Sequence, residues 1–124
     1  LIDNCLAQNK NKIINILNEN NYSTEDSIII LRTFLSKTKR ILKLAMKLEE
    51  NKDINKTINS AKPPIFWKDK EIIKVQLNKW KTKKIKELIK SINNIELEIK
   101  KNYNNSILIV TNFILEKSCS KFNN

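Results

Sequence analysis

The chain contains no glycine, and its only two prolines stand side by side at Pro63 and Pro64. Those two facts limit how the backbone can turn. Glycine normally supplies the left-handed conformation that ends helices and shapes tight turns. Here Asn, Ser, Asp and Thr must supply the breaks, because their short polar side chains compete with the backbone for hydrogen bonds. A diproline can begin a helix but cannot sit inside one, so it marks a fixed boundary. Between such breaks the chain reads as a series of amphipathic helices.

Residues 1–7 read as the end of a helix. Residues 10–18 form a short helix with Ile13, Ile14 and Leu17 on one side, and Asn20-Asn21 breaks it. Ser23-Thr24-Glu25-Asp26 is close to a capping box. The Ser23 hydroxyl is placed to accept the Asp26 N–H, and the carboxylates suit a helix N-terminus. The helix that follows should reach about Glu50. Its apolar residues, among them Leu31, Phe34, Ile41 and Leu44, cover a wide arc, so it should pack on more than one side and form the spine. A weaker helix is expected over residues 53–61.

Pro63 pushes Lys62 out of the helical region, and Pro64 is expected to open a helix running to Trp80. Its core face would be Phe66, Ile73, Leu77 and Trp80. Thr82 is expected to cap a helix reaching Asn102, with a clean stripe at Ile85, Leu88, Ile89, Ile92, Ile95 and Ile99. Tyr103-Asn104-Asn105 reads as a turn with Asn in the left-handed conformation, and Ser106 as the cap of a last helix to about Cys119. Ile107-Leu108-Ile109-Val110 would also suit a strand, but one β-rich run without a partner makes no sheet. The expected class is all-α: a compact bundle of about six or seven helices. A length of 124 residues suits a single helical domain, 1–124, which buries roughly two thirds of its unfolded surface.

Composition narrows the chemistry. There is no His, which removes the commonest general base and the commonest transition-metal ligand. Without Gly, neither a Walker loop nor a dinucleotide loop can form. A cysteine nucleophile would lack an imidazole partner. Cys5 and Cys119 show no metal spacing and read as a reduced intracellular pair. No cofactor is implied, and the domain is expected to catalyse nothing on its own. No run approaches the roughly 20 apolar residues of a membrane span, and nothing at the start resembles a signal peptide. The expected location is the cytoplasm. The chain does not begin with Met, and it reads as the later part of a longer protein.

Net charge is +11, and Arg occurs only at 32 and 40. One reading is a polyanionic partner, most naturally nucleic acid, which would make the chain an autonomous basic nucleic-acid-binding module. The other is A+T-rich coding, which raises Lys, Asn and Ile together. The two are compatible. Among individual residues, Glu96 lies close to the apolar stripe and calls for a cation, with Arg40 and Arg32 as candidates for a structural ion pair. Trp67 departs from the core face of its expected helix. It either anchors a protein partner or is covered by a neighbouring helix. Tyr103, just after Lys100 and Lys101, is either a local packing residue or a stacking platform for an unpaired base.

The order of Lys62-Pro63-Pro64-Ile65-Phe66-Trp67-Lys68, Trp80 with Thr82, Ile95-Glu96-Leu97-Glu98-Ile99-Lys100 and the Tyr103 loop resembles the C-terminal domain of the delta subunits of bacterial DNA polymerase III. These subunits belong to the clamp loader. The resemblance runs from about Leu1 to Cys119. It implies a helical collar domain that joins the matching domains of delta-prime and the gamma or tau subunits. It also implies that the sliding clamp is met only through an N-terminal region outside this chain. Tyr103 would then face primer–template DNA. The Lys and Asn content departs from the family, and Asn104-Asn105 stands where many relatives use Gly.

Overall fold

The computed structural model describes residues 1–119, so the last five residues of the expected 1–124 domain lie outside the described residues. Seven α-helices are present among the described residues: α1 (Ile2–Leu6), α2 (Lys10–Glu19), α3 (Asp26–Asn51), α4 (Ile54–Asn59), α5 (Lys70–Lys79), α6 (Thr82–Lys101) and α7 (Ser106–Lys117). Short 3-10 turns at Trp67–Asp69 and Tyr103–Asn105 lead into α5 and α7. No strand occurs among the described residues, so the 107–110 run is helical, as its lack of a partner required.

The 26-residue α3 is the spine. It packs against α1, α4, α5, α6 and α7, with α6 as its main partner. Its wide apolar arc makes this possible: Ile30, Leu31, Phe34, Ile41 and Leu44 are all buried. The α6 stripe meets it with Ile85, Leu88, Ile92 and Ile99 buried, while Ile89 and Ile95 pack at the edge. Phe34 of α3 and Phe113 of α7 meet with ring centroids 5.7 Å apart and tilted by 50°, a favourable aromatic geometry. One hydrophobic cluster runs from Ile2 to Ile114.

The five-residue α1 is too short to persist alone, and tertiary contacts hold it. Trp80 Nε1 donates to the Leu6 carbonyl at 2.8 Å, and Gln76 Nε2 donates to the Asp3 carbonyl at 3.0 Å. The Trp80 bond occupies a carbonyl that the helix end leaves free, and the Gln76 bond is a second one on the Asp3 carbonyl, which also accepts from the Ala7 N–H at 3.0 Å. Lys37 on α3 reaches the Asp3 carboxylate at 2.8 Å.

Several local expectations change. At the start of α3 the bond direction reverses. The Ser23 hydroxyl donates to Asp26 Oδ2 at 3.0 Å, and the Ser23 N–H donates to the same oxygen at 2.7 Å. The carboxylate side of the capping box forms, and the hydroxyl side does not. Pro64 does not open a helix: after the cis Lys62–Pro63 peptide the chain stays irregular until Trp67. The helix therefore starts at Lys70, its register no longer includes Phe66, and Ile65 takes the buried place instead. Thr82 and Ser106 are first helical residues and not caps. The Ser106 hydroxyl donates to the Tyr103 carbonyl at 2.7 Å. The left-handed positions are Gln8 (φ 57°) and Lys52 (φ 58°), not Asn104 or Asn105. The 3-10 turn at 103–105 brings the chain round with negative φ, so no left-handed residue is needed there.

Candidate functional site

The most exposed aromatic side chains follow directly from the irregular segment after the prolines. With that segment extended and the 3-10 turn short, Phe66 and Trp67 project instead of packing. Phe66 is 57% and Trp67 69% exposed. Their rings sit 5.9 Å apart and are tilted by 58°. Lys68 Nζ lies 5.4 Å from the Trp67 centroid, within cation–π range. Of the two readings for Trp67, cover by a neighbouring helix does not occur among the described residues. Phe66, expected in the core, joins Trp67 on the surface. The adjacent Phe–Trp pair is thus an exposed apolar projection.

Tyr103 is 49% exposed at the tip between α6 and α7, and Lys100 and Lys101 on the last turn of α6 are exposed with it. The ring is therefore about half open to solvent, and the two lysines precede it on the last turn of α6.

Glu96 is half-buried and lines a small crevice with Arg32, Leu31, Leu35 and Ile92. No ion pair within 4.0 Å joins it to Arg32 or Arg40 among the described residues. The ion pairs there are Lys37–Asp3, Lys74–Glu71, Lys84–Glu87 and Lys117–Glu116. Partial exposure explains why Glu96 stays solvated without a cation. Arg40 lies elsewhere, on the α3 face toward α4, with its Nε buried and without a hydrogen-bond partner among the described residues.

That Arg40 face is the feature sequence reading missed. A groove of about 750 Å³ runs between α3 and the segment 57–65. Lys39, Arg40, Lys43, Lys47 and Lys62 line it, and no carboxylate does. Leu44, Ala61, Pro63 and Ile65 give it an apolar floor. The signal was present as Lys at 39, 43 and 47, an i, i+4, i+8 row on one helix face. Only the packing of α4 and the proline segment beside that row turns it into a groove.

Both cysteines are free thiols. Cys5 is buried, and its Sγ donates to the Ile114 carbonyl at 3.4 Å. Burial pushes its pKa up from 9.0 to about 12, against the pull of the N-terminal ammonium and Lys117. A thiol held neutral in this way is a packing group and not a nucleophile. No helix among the described residues is long and apolar enough to cross a membrane.

No protein-family model matches the chain, and no curated protein or solved structure matches it. The likeness to delta subunits therefore rests on the residues that carry it.

Proposed function

We propose that this chain is a helical assembly module of DNA replication: the C-terminal oligomerisation domain of a delta subunit in a DNA polymerase III clamp loader, acting in the cytoplasm. The observation that carries this reading is the exposed Phe66–Trp67 pair, set on the segment where the likeness to delta subunits is strongest. In that family the corresponding domains form a collar that fixes the order of delta, delta-prime and the gamma or tau subunits. The mechanism is positional. Apolar and aromatic helix faces mate with neighbouring subunits, so that ATP-driven changes elsewhere in the loader act on one sliding clamp. The parent chain is an accessory subunit of a polymerase holoenzyme, and this domain makes and breaks no bonds. Tyr103 with Lys100 and Lys101 provides a supporting contact to primer–template DNA.

A pull-down of this chain with purified delta-prime and gamma subunits tests the reading. Co-elution that Trp67→Ala weakens by tenfold or more is the expected result. Absence of association with both partners, with the chain shown to be helical by circular dichroism, rejects it.

A further inference from the structure

We infer that the groove between α3 and the segment 57–65 is a binding site for the phosphate backbone of a single nucleic-acid strand. This inference does not rest on the assembly reading: its cations are other side chains than the Phe66–Trp67 pair, although Lys62, Pro63 and Ile65 belong to the same segment.

Three observations carry it. First, all five charged residues lining the groove are cations: Lys39, Arg40, Lys43, Lys47 and Lys62. Ion pairs such as Lys74–Glu71 and Lys84–Glu87 occur elsewhere on the surface, but no carboxylate lines this groove. Like charges brought together around a concave surface repel each other and concentrate a positive potential. Second, Lys39, Lys43 and Lys47 form a slanting row on α3, about 6 Å apart along the axis and turning about 40° at each step. That interval is near the separation of successive phosphates along an extended strand, so one lysine can meet each phosphate. Third, Arg40 lines the groove beside the lysine row, and a guanidinium is a planar donor suited to phosphate oxygens.

The floor decides the kind of recognition. It consists of Leu44, Ala61, Pro63 and Ile65, with no aromatic ring on which a base could stack. The strand would be held by its phosphates and not read by its bases, so binding would be strong in low salt and indifferent to sequence. An acidic peptide helix is the competing occupant for a basic groove with an apolar floor. The regular lysine row favours the evenly charged strand.

The test uses the full 124-residue chain and a fluorescein-labelled oligothymidine 12-mer, with anisotropy read from 50 to 200 mM KCl. The Lys39→Gln/Lys43→Gln/Lys47→Gln variant should lose at least tenfold in affinity at low salt. The plot of log K against log salt should flatten by about 2, as expected for three phosphate contacts on a single strand. A control removing three exposed lysines of α6, Lys83→Gln/Lys86→Gln/Lys90→Gln, should lose less than threefold. The charge-keeping Lys39→Arg/Lys43→Arg/Lys47→Arg variant should bind as the wild type does. If the Gln triple loses its helical circular dichroism, Lys62→Gln carries the same reading with a flattening of about 0.7. Equal losses in the groove and control variants would overturn the inference, because net charge alone would then explain binding. Failure of the wild type to bind the oligonucleotide would overturn it too. So would displacement of the strand by poly-glutamate of the same charge at equal or lower concentration, which would assign the groove to an acidic peptide.

Discussion

The indole N–H of Trp80 donates a 2.8 Å hydrogen bond to the carbonyl of Leu6, 74 residues earlier in the chain. Trp80 is the C-cap of α5, and Leu6 is the last residue of α1. The bond closes an otherwise free helix end inside the core, where an unpaired carbonyl is costly. Trp80→Phe removes the donor together with the five-membered ring, leaving the Leu6 carbonyl unpaired beside a small cavity. It should destabilise the protein by about 1–3 kcal/mol, read as a lower midpoint in urea. A change within experimental error would show that the bond is worth no more than its exchange with water.

Lys52 ends α3 in the left-handed conformation at φ 58°, with its N–H bonded to the Leu48 carbonyl at 2.8 Å. A Cβ is unfavourable there, by about 1–2 kcal/mol for an L-residue. A chain without glycine has to carry that cost. Lys52→Gly should therefore raise stability by up to about 1 kcal/mol, offset in part by the freer unfolded chain. Thermal melts followed at 222 nm would show it as a higher midpoint, and a lower midpoint would contradict the conformational argument.

Cys5 makes stability depend on alkaline pH. Its thiol titrates at 9.0 when exposed and at about 12 in the fold, because burial penalises the thiolate. Below 9.0 both states are protonated, and the buried thiol costs nothing. Between 9.0 and about 12 the unfolded chain releases the proton and the folded chain keeps it, so stability falls as pH rises. The slope is at most about 1.4 kcal/mol per pH unit. Urea midpoints measured from pH 8 to 11 should fall more steeply for the wild type than for Cys5→Ala. Parallel curves would show that Cys5 contributes no such term.

Trp67 and Trp80 should separate spectroscopically. Trp67 is 69% exposed and Trp80 4%. In Trp80→Phe the remaining emission should come from the exposed indole and lie to the red of that from Trp67→Phe. Trp67→Ala should change folding stability by no more than about 0.5 kcal/mol, the usual range for surface positions. A loss of several kcal/mol would mean that Trp67 is part of the packed structure and not a free projection.

Much of the helical pattern was legible because burial follows a 3.6-residue period. The α6 stripe and the wide arc of α3 could be read from spacing alone, and their partnership follows from both being long and apolar on a facing side. The errors cluster at helix starts. Ser23, Pro64, Thr82 and Ser106 each suit more than one cap geometry, and the choice depends on where the next helix is pulled by packing. Moving one start from Pro64 to Lys70 exchanged Phe66 for Ile65 in the core, which also placed an aromatic pair on the surface. Trp67 was legible as a candidate because it fell off the core face. The groove was not, since Arg40 and Lys62 are 22 residues apart in sequence and join one wall-and-rim arrangement only after α4 folds back onto α3.

By itself the order of residues determined that this protein is helical, that α3 would be its centre, and that imidazole chemistry and glycine phosphate loops were closed to it. Those properties depend on composition and on local periodicity, which need no knowledge of distant neighbours. Tertiary structure alone decided that Phe66 faces solvent, that Lys52 and not an asparagine adopts the left-handed turn, and that five cations surround one groove. Each of these is a competition for space between segments far apart in the chain, and it is settled by which arrangement buries the most apolar surface with its hydrogen bonds made.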